Sequence, residues 1–260
     1  MILFDYILNQ IMLFSLIFLR ILGFFLITPI FGNKSFPVVG KIVFSLFISI
    51  IIIPIISETN YELPADTVLY LIAAVREIIV GFVIGFVTYL VLTSIYIAGQ
   101  IIDMQMGFGI VNILDPVTNI QVPIIGNFIY IFTLLVFLTT NGHHHMIAAL
   151  INSFDLLPVN SAITSGILTK NLVFIFVKVF NLAFKIAIPI VGAVFLTDIA
   201  LGIVARTVPQ MNVFIIGLPI KILMGIFALI IIMPVYVSFL DLLFNGMFSD
   251  VYKIIKAMTL

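Results

Sequence analysis

The chain has 260 residues, of which 63% are hydrophobic and only 8% are charged, and its mean hydropathy is +1.38. Soluble domains carry about 25% charged residues, so this chain has too few polar side chains to cover a soluble globule, and we predict an integral membrane protein. Its eleven basic and eleven acidic residues balance, which leaves no electrostatic footprint for nucleic acid, and the absence of cysteine excludes disulfides, thiolate metal sites and cysteine nucleophiles.

Long apolar segments dominate the chain. A helix needs about 20 mostly apolar residues to cross a bilayer, and the segments that qualify or come close are 8–31, 40–56, 68–102, 123–151, 171–205 and 213–243. None shows the sustained two-residue alternation of a membrane barrel, so we predict an all-α membrane protein with long, kinked helices. Prolines kink or end helices, either as ordinary shaping or as hinges, and those within or beside these segments are Pro29, Pro54, Pro189, Pro219 and Pro234.

The first and third segments contain charges in apolar surroundings. Arg20 lies in IFLRILGF, and Arg76 and Glu77 lie in AAVREIIVGF. A charge at the centre of a lone membrane helix costs roughly 2.5–3.5 kcal/mol, so these side chains are expected to face protein or a water-filled cavity, or to lie outside the hydrocarbon. Gly81 and Gly85 form a G-x-x-x-G pattern that allows two helix backbones to approach closely.

An irregular stretch follows the third segment. Gln105–Pro123 reads QMGFGIVNILDPVTNIQVP, in which two glycines flank Phe108 and Asp115-Pro116 disfavours helix. Irregular backbone survives at membrane depth only when protein encloses it or when it lines a cavity. The residues leave two alternatives open, which are an apolar seal that closes a pore and a plain turn outside the membrane.

The fourth segment carries three consecutive histidines, His143–His145. Adjacent helix positions point about 100° apart, whereas helical zinc motifs place their ligands at i and i+4. We therefore expect hydrogen-bonded packing groups near a helix break at Gly142, and no metal site.

The fifth segment contains a polar seam, and a second set of charges lies near its end. Lys178, Asn181 and Lys185 share one helix face, and Asp198 and Arg206 share another at multiples of four residues. These residues are either ion pairs that hold helices in register or the polar lining of a conduit. Both interpretations predict contact with other helices or chains instead of lipid.

Four stretches together resemble the FliR family of flagellar type III export-gate proteins, which has counterparts in virulence injectisomes. They are RILGFFLITPIFG, AGQIIDMQMGFGIVNILDPVTNIQVP, FLTTNGHHHMI and LGIVARTVPQMNVFIIGLPIKILMGI. The resemblance spans nearly the whole chain with segment order and spacing kept.

The resemblance implies an architecture and a set of partners. A FliP-like helical portion would occupy residues 1–170 and a FliQ-like helical hairpin residues 171–260. One copy of the chain would join FliP-like and FliQ-like subunits, an FlhB-like export switch protein and exported protein substrates. The gate would belong to the flagellar basal body at the bacterial inner membrane, with much of the assembly held above the membrane plane.

The resemblance also implies roles for particular residues. Residues from about 106 to 123 match the family's channel plug, here called the plug segment, with Phe108 as apolar seal. The implied plug residues are Met106, Gly107, Phe108, Gly109, Asp115 and Pro116. The polar residues expected to contact sister subunits are Arg20, Arg76, Glu77, Lys178, Lys185, Asp198 and Arg206.

Enzymatic chemistry is not indicated, because no paired acid and base, nucleophile motif or phosphate-binding loop is visible, and no cofactor is expected. Three other functions compete with the export gate. A secondary transporter would need an internal repeat with matching broken helices, a metal-dependent enzyme would need metal at His143–His145, and a scaffold would only nucleate assembly of a ring.

Overall fold

The structure, a computed structural model, describes residues 2–32, 36–56, 64, 66–109, 123–162, 166–210 and 212–259. These residues form long α-helices and no strand, which confirms the predicted all-α class. The helices are α1 (Ile2–Ile27), α2 (Val38–Ile56), α3 (Thr67–Met106), α4 (Ile124–Thr139), α5 (Gly142–Leu156), α6 (Gly166–Thr207) and α7 (Val213–Ala257).

Five of these helices, α1, α2, α3, α6 and α7, are long and apolar enough to cross a membrane. A sixth crossing is available if α4 and α5 are taken as one broken span. The six segments predicted from hydropathy thus coincide with the candidate spans in the described part of the chain. Pro54, Pro189, Pro219 and Pro234 all lie inside helices.

Several helices extend beyond the predicted apolar segments, and α3 and α7 are two examples. α3 continues past residue 102 to Met106, and α7 continues past residue 243 to Ala257. Both extensions carry polar side chains, among them Asp103, Asp250 and Lys253. Hydropathy marks where a helix can meet lipid, whereas the backbone hydrogen bonds continue for as long as polar side chains find water or protein partners.

The predicted fourth segment, 123–151, is not one helix. α4 and α5 meet at an angle of 69°, and Asn141 between them has a left-handed backbone conformation with φ 57°. The predicted break beside Gly142 is confirmed, since α5 begins at that residue. With 16 and 15 residues, each helix is about 22–24 Å long and therefore shorter than the roughly 30 Å of bilayer hydrocarbon.

The chain divides into two compact units. The first comprises Met1–Val91, Asn141–Phe176 and Asn245–Leu260. Within it α1 packs closely on α3, because Gly81 lies against the backbone of Arg20 and Phe24, and Gly85 lies against the carbonyl of Phe24. The close helix approach expected from the G-x-x-x-G pattern is confirmed.

The second unit comprises Leu92–Thr140 and Val177–Phe244. It contains α4, the last part of α3 and long stretches of α6 and α7. α4 contacts α7 through a hydrogen bond between the Thr133 and Tyr236 hydroxyls of 2.6 Å and through edge-to-face packing of Phe137 on Phe244. The start and the end of the plug segment belong to this unit.

Candidate functional site

The plug segment begins at the C-terminal end of α3. Met106 is the last residue of that helix and is fully buried. Its side chain fills a notch at Gly225 of α7, where an added Cβ would lie 2.6 Å from the Met106 Cε. α3 therefore ends at Met106 and not before Gln105 as expected from sequence, and Met106 serves as an anchor. After the turn at Gly107 the backbone of Phe108 and Gly109 is helical again, so the expected irregular backbone is wrong for these two residues.

Gly107 ends α3 in a conformation that favours glycine. Its φ is +92°, which L side chains rarely adopt, and it lies beside Leu218 of α7. Phe108 follows and is half-buried, whereas Gly109 is exposed. The predicted plug residues Asp115 and Pro116 lie outside the described residues.

The other end of the plug segment is fixed at the N-terminus of α4. Pro123 precedes that helix and offers no side-chain cap. The buried carboxylate of Asp103, on α3, instead accepts hydrogen bonds from the backbone N–H groups of Ile125 and Gly126, both 3.0 Å long. A carboxylate suits the N-terminus of a helix because it satisfies free N–H groups and complements the helix dipole.

A close backbone contact reinforces this end. A Cβ built on Gly99 of α3 would lie 2.7 Å from the backbone nitrogen of Gly126, so only glycine fits there. Asp103 and Gly99 thus hold the start of α4 against α3 from one face of the same helix, four residues apart. Sequence reasoning missed both, although Gly99, Asp103 and Gly107 are spaced at i, i+4 and i+8.

The start of the segment is also tied to α6 and α7, which are joined by a short connection and by an ion pair between Asp198 and Lys221. We call these two helices the α6–α7 hairpin. Gln105 Nε2 of α3 donates a hydrogen bond of 3.1 Å to Asp198 Oδ2 of α6, and Lys221 of α7 forms an ion pair with the other carboxylate oxygen. Among the residues expected to contact sister subunits, Asp198 thus has partners within its own chain.

Arg20 and Glu77 likewise meet each other. Arg20 Nε and Glu77 Oε2 are 2.5 Å apart, and both side chains are completely buried. Arg20 Nη1 also donates to the carbonyls of Ser153 and Leu157, and its guanidinium lies 4.2 Å from the ring centroid of Phe154. This cluster joins α1, α3 and α5 inside the first unit, as the high cost of a charge in lipid requires.

The remaining predicted polar residues are more open. Arg76, Lys185 and Arg206 are exposed and Lys178 is half-buried. Lys178 and Lys185 lie on α6 as predicted, but their seam faces outward in the isolated chain. Arg76, Lys185 and Arg206 are thus accessible on the surface of the chain.

The three histidines do not converge. The rings of His143 and His144 lie 4.1 Å apart, and His145 packs on Phe248. In the part of the chain that the structure describes, no group of three or more histidine or carboxylate side chains is arranged to hold a metal ion.

Comparison with known proteins gives a consistent set of relatives. A family model described as "Bacterial export proteins, family 1" matches residues 11–247. The flagellar biosynthetic protein FliR of Bacillus subtilis is 40% identical over 226 residues, which are 85% of this chain and 86% of that protein. The protein of the same name from Escherichia coli is 29% identical over 93% of this chain and 92% of its own length.

Proposed function

This chain belongs to the FliR family of bacterial export proteins, and we propose that it is the FliR subunit of a flagellar type III export gate, in which residues 106–123 plug the protein-conducting channel. At the coarser level it is a membrane-associated component of flagellar biosynthesis and protein export. The observation that carries the proposal is the family match over residues 11–247, because that range contains the plug segment and the elements that hold its two ends.

The lengths of α6 and α7 support a place in a larger assembly. They contain 42 and 45 residues, which correspond to about 63 and 68 Å of helix, whereas the hydrocarbon of a bilayer is only about 30 Å thick. Roughly half of each helix therefore needs surroundings other than acyl chains. Neighbouring subunits provide such surroundings.

The exposed apolar surface of the same helices supports partner subunits. In the most apolar window of each candidate span, 61% of α3 is buried inside the protein, against 22% of α6 and 17% of α7. Large apolar residues that remain exposed include Phe174, Ile188, Leu196, Ile203, Ile215, Leu223, Ile230 and Leu242. FliP-like and FliQ-like subunits would cover these faces, with one copy of this chain in each gate and an FlhB-like protein alongside, at the bacterial inner membrane.

The anchoring of the plug segment at both ends supports its role as a stopper. A stopper that moves aside and returns needs contacts that define the closed position of each end, since otherwise it would not recover that position. Met106 and Gly107 fix the start against α7, and Asp103 and Gly99 fix the end against α3. Phe108, next to the first anchor, is the apolar side chain that we assign to the seal.

Site-directed cross-linking tests whether Phe108 lines the channel. The chain contains no cysteine, so Phe108→Cys introduces a single thiol, in cells that also hold an export substrate stalled by a folded fusion and carrying one cysteine of its own. We expect a disulfide between position 108 and the stalled substrate. Leu242→Cys on the outer surface of α7, where the side chain is 72% exposed, is the matched control and should not react with the substrate.

Mass measurement tests the assembly. The full chain purified in mild detergent should elute with FliP-like and FliQ-like partners at a mass that contains one copy of this chain. A lone chain that binds small solutes would overturn the proposal in favour of a transporter. In the cross-linking experiment, a disulfide between the substrate and position 242 but not position 108 would contradict the proposal that Phe108 lines the channel. It would not contradict the proposed assembly with FliP-like and FliQ-like subunits.

A further inference from the structure

The carboxylate of Asp198 connects three helices at the start of the plug segment. Its Oδ2 accepts the hydrogen bond from Gln105 on α3 at 3.1 Å, and its Oδ1 is paired with the Lys221 ammonium on α7. The Asp198 and Lys221 side chains are 30% and 29% exposed. We call these three residues the clasp.

An ionised Asp198 is energetically unfavourable at its position unless its carboxylate has partners. It lies in the apolar run VFLTDIAL, where an ionised carboxylate without partners loses much of its solvation. Lys221 supplies the opposite charge and Gln105 a hydrogen-bond donor, so both oxygens have a partner. An aliphatic residue would suit the surrounding run, and the carboxylate therefore contributes through the two contacts that it makes.

The clasp is followed directly by the other contacts that seat the start of the plug segment. Gln105 contacts Asp198, Met106 fills the notch at Gly225, and Gly107 lies beside Leu218. Three successive residues of α3 and the following turn thus lie against the α6–α7 hairpin. A shift of that hairpin would therefore move or release the start of the segment.

The two ends of the segment are held by different kinds of contact. At the far end, α4 is held to α3 by a buried carboxylate with two backbone hydrogen bonds and by direct contact of two glycine backbones. At the start, the polar hold consists of side chains that water reaches. Partly exposed side-chain pairs contribute less than buried, fully satisfied ones, so the polar contacts at the start are easier to break than those at the far end.

We propose that Asp198 is a positioning residue of the gate: together with Lys221 it holds Gln105, and with it the start of the plug segment, against the α6–α7 hairpin in the closed state. The clasp separates when the segment moves aside, so that displacement of the hairpin by neighbouring subunits or by substrate is transmitted to the plug. This inference rests on the proposed plug function.

Conservative variants test the clasp in the complex that co-purifies with the full chain, reconstituted in liposomes and assayed for potassium efflux. Asp198→Asn removes the ion pair and Gln105→Met removes the hydrogen bond at nearly constant volume. Each should raise the efflux roughly fivefold, as loss of one modest interaction in a two-state equilibrium does. Asp241→Asn, which makes the same change at an exposed site on α7, should leave efflux unchanged.

A reversible cross-link separates positioning from a general structural role. In the cysteine-free background, Gln105→Cys with Asp198→Cys should leak like the single variants. A short bis-methanethiosulfonate linker between the two thiols should restore the tight state, and reductant should return the leak. A residue that only stabilised the fold would not give a leak that switches with linker and reductant while the melting temperature and subunit composition stay constant.

A variant with the plug segment replaced by a short linker distinguishes failure of the clasp inference from failure of the proposed plug function. If that variant leaks but Asp198→Asn, Gln105→Met and the unlinked cysteine pair remain as tight as the unmodified complex, the clasp inference is overturned and the plug stands. If the plug replacement itself does not leak, both the plug function and the clasp are overturned.

Discussion

At the scale of single residues, the buried ion pair of Arg20 and Glu77 explains how a charged residue persists in an apolar helix. Arg20 Nε contacts Glu77, and Nη1 donates to two carbonyls at the end of α5. The remaining Glu77 oxygen accepts the backbone N–H of Asn160 at 2.9 Å. The pair thereby ties α1 and α3 to the connection between α5 and α6.

Removal of one partner of this pair should be strongly destabilising. Arg20→Leu leaves the Glu77 carboxylate buried without its cation, and we expect a loss of about 3–5 kcal/mol in the free energy of unfolding, measured by thermal unfolding in mild detergent. Arg76→Leu, one residue from Glu77 but exposed, is the control and should change stability by less than about 0.5 kcal/mol. Equal effects of the two changes would contradict the buried pair.

Glycines beside the plug segment provide a second test at the residue scale. Gly99→Ala would push a methyl group into the backbone of Gly126, which cannot give way, whereas the atoms nearest to the methyl group of Gly225→Ala belong to the flexible side chain of Met106. We therefore expect Gly99→Ala to lower the melting temperature more than Gly225→Ala. Met106→Ala should partly rescue Gly225→Ala and should not rescue Gly99→Ala.

The control for these glycines is Gly202→Ala on α6, where the added Cβ meets nothing within 4 Å. Because alanine is favoured over glycine inside a helix by roughly 0.5–1 kcal/mol, this variant should be neutral or slightly more stable. A melting temperature for Gly99→Ala that matched Gly202→Ala would show that α4 does not approach α3 as described.

At the scale of helices, Asp103 lies on α3 but caps the N-terminus of a different helix, α4. Asp103→Asn keeps one acceptor but turns an NH₂ group toward the second N–H, so α4 loses part of its cap. We expect faster hydrogen exchange at Ile125 and Gly126 and a loss of about 0.5–2 kcal/mol, as for other N-caps. Exchange in the middle of α4 should change less, and unchanged exchange at its first turn would contradict the cap.

The sequence locates the helices well, because spans of apolar residues are a strong local signal. It does less well at their ends. α3 reaches Met106 because Asp103 and Gln105 find partners on α4 and α6, and those partners are distant in the sequence. The bend at Asn141 similarly depends on a left-handed residue, and Gly142 with the neighbouring histidines indicates only its approximate position.

The candidate site was predicted in part. Gly107, Phe108 and Gly109 are prominent in the sequence as an irregular motif. Gly107 does have the positive φ that such a motif suggests, whereas Phe108 and Gly109 are helical. The supports of the segment were missed, since Asp103 looks like one more polar residue near a helix end. Its role becomes visible only when the N-terminus of α4 lies beside it.

At the scale of the whole molecule, composition establishes a membrane protein but not what surrounds each apolar face. Hydropathy is equally high for a residue that meets acyl chains and for one that meets another subunit. The great length of α6 and α7, which exceeds the thickness of the bilayer hydrocarbon, supports the proposal that subunits cover part of their surface. Covering these faces with partner helices would also give Lys178 and Lys185 surroundings other than hydrocarbon.

Single-channel recording tests the central claim most directly, which is that residues 106–123 stopper a conduit in the assembled gate. The complex purified with the full chain is inserted into planar bilayers beside a complex in which the residues between Gly107 and Pro123 are replaced by a short glycine-serine linker. We predict closed behaviour for the first and sustained ionic current for the second, with subunit masses that differ only by the replaced residues. Equal conductance of the two complexes at equal composition would contradict the account.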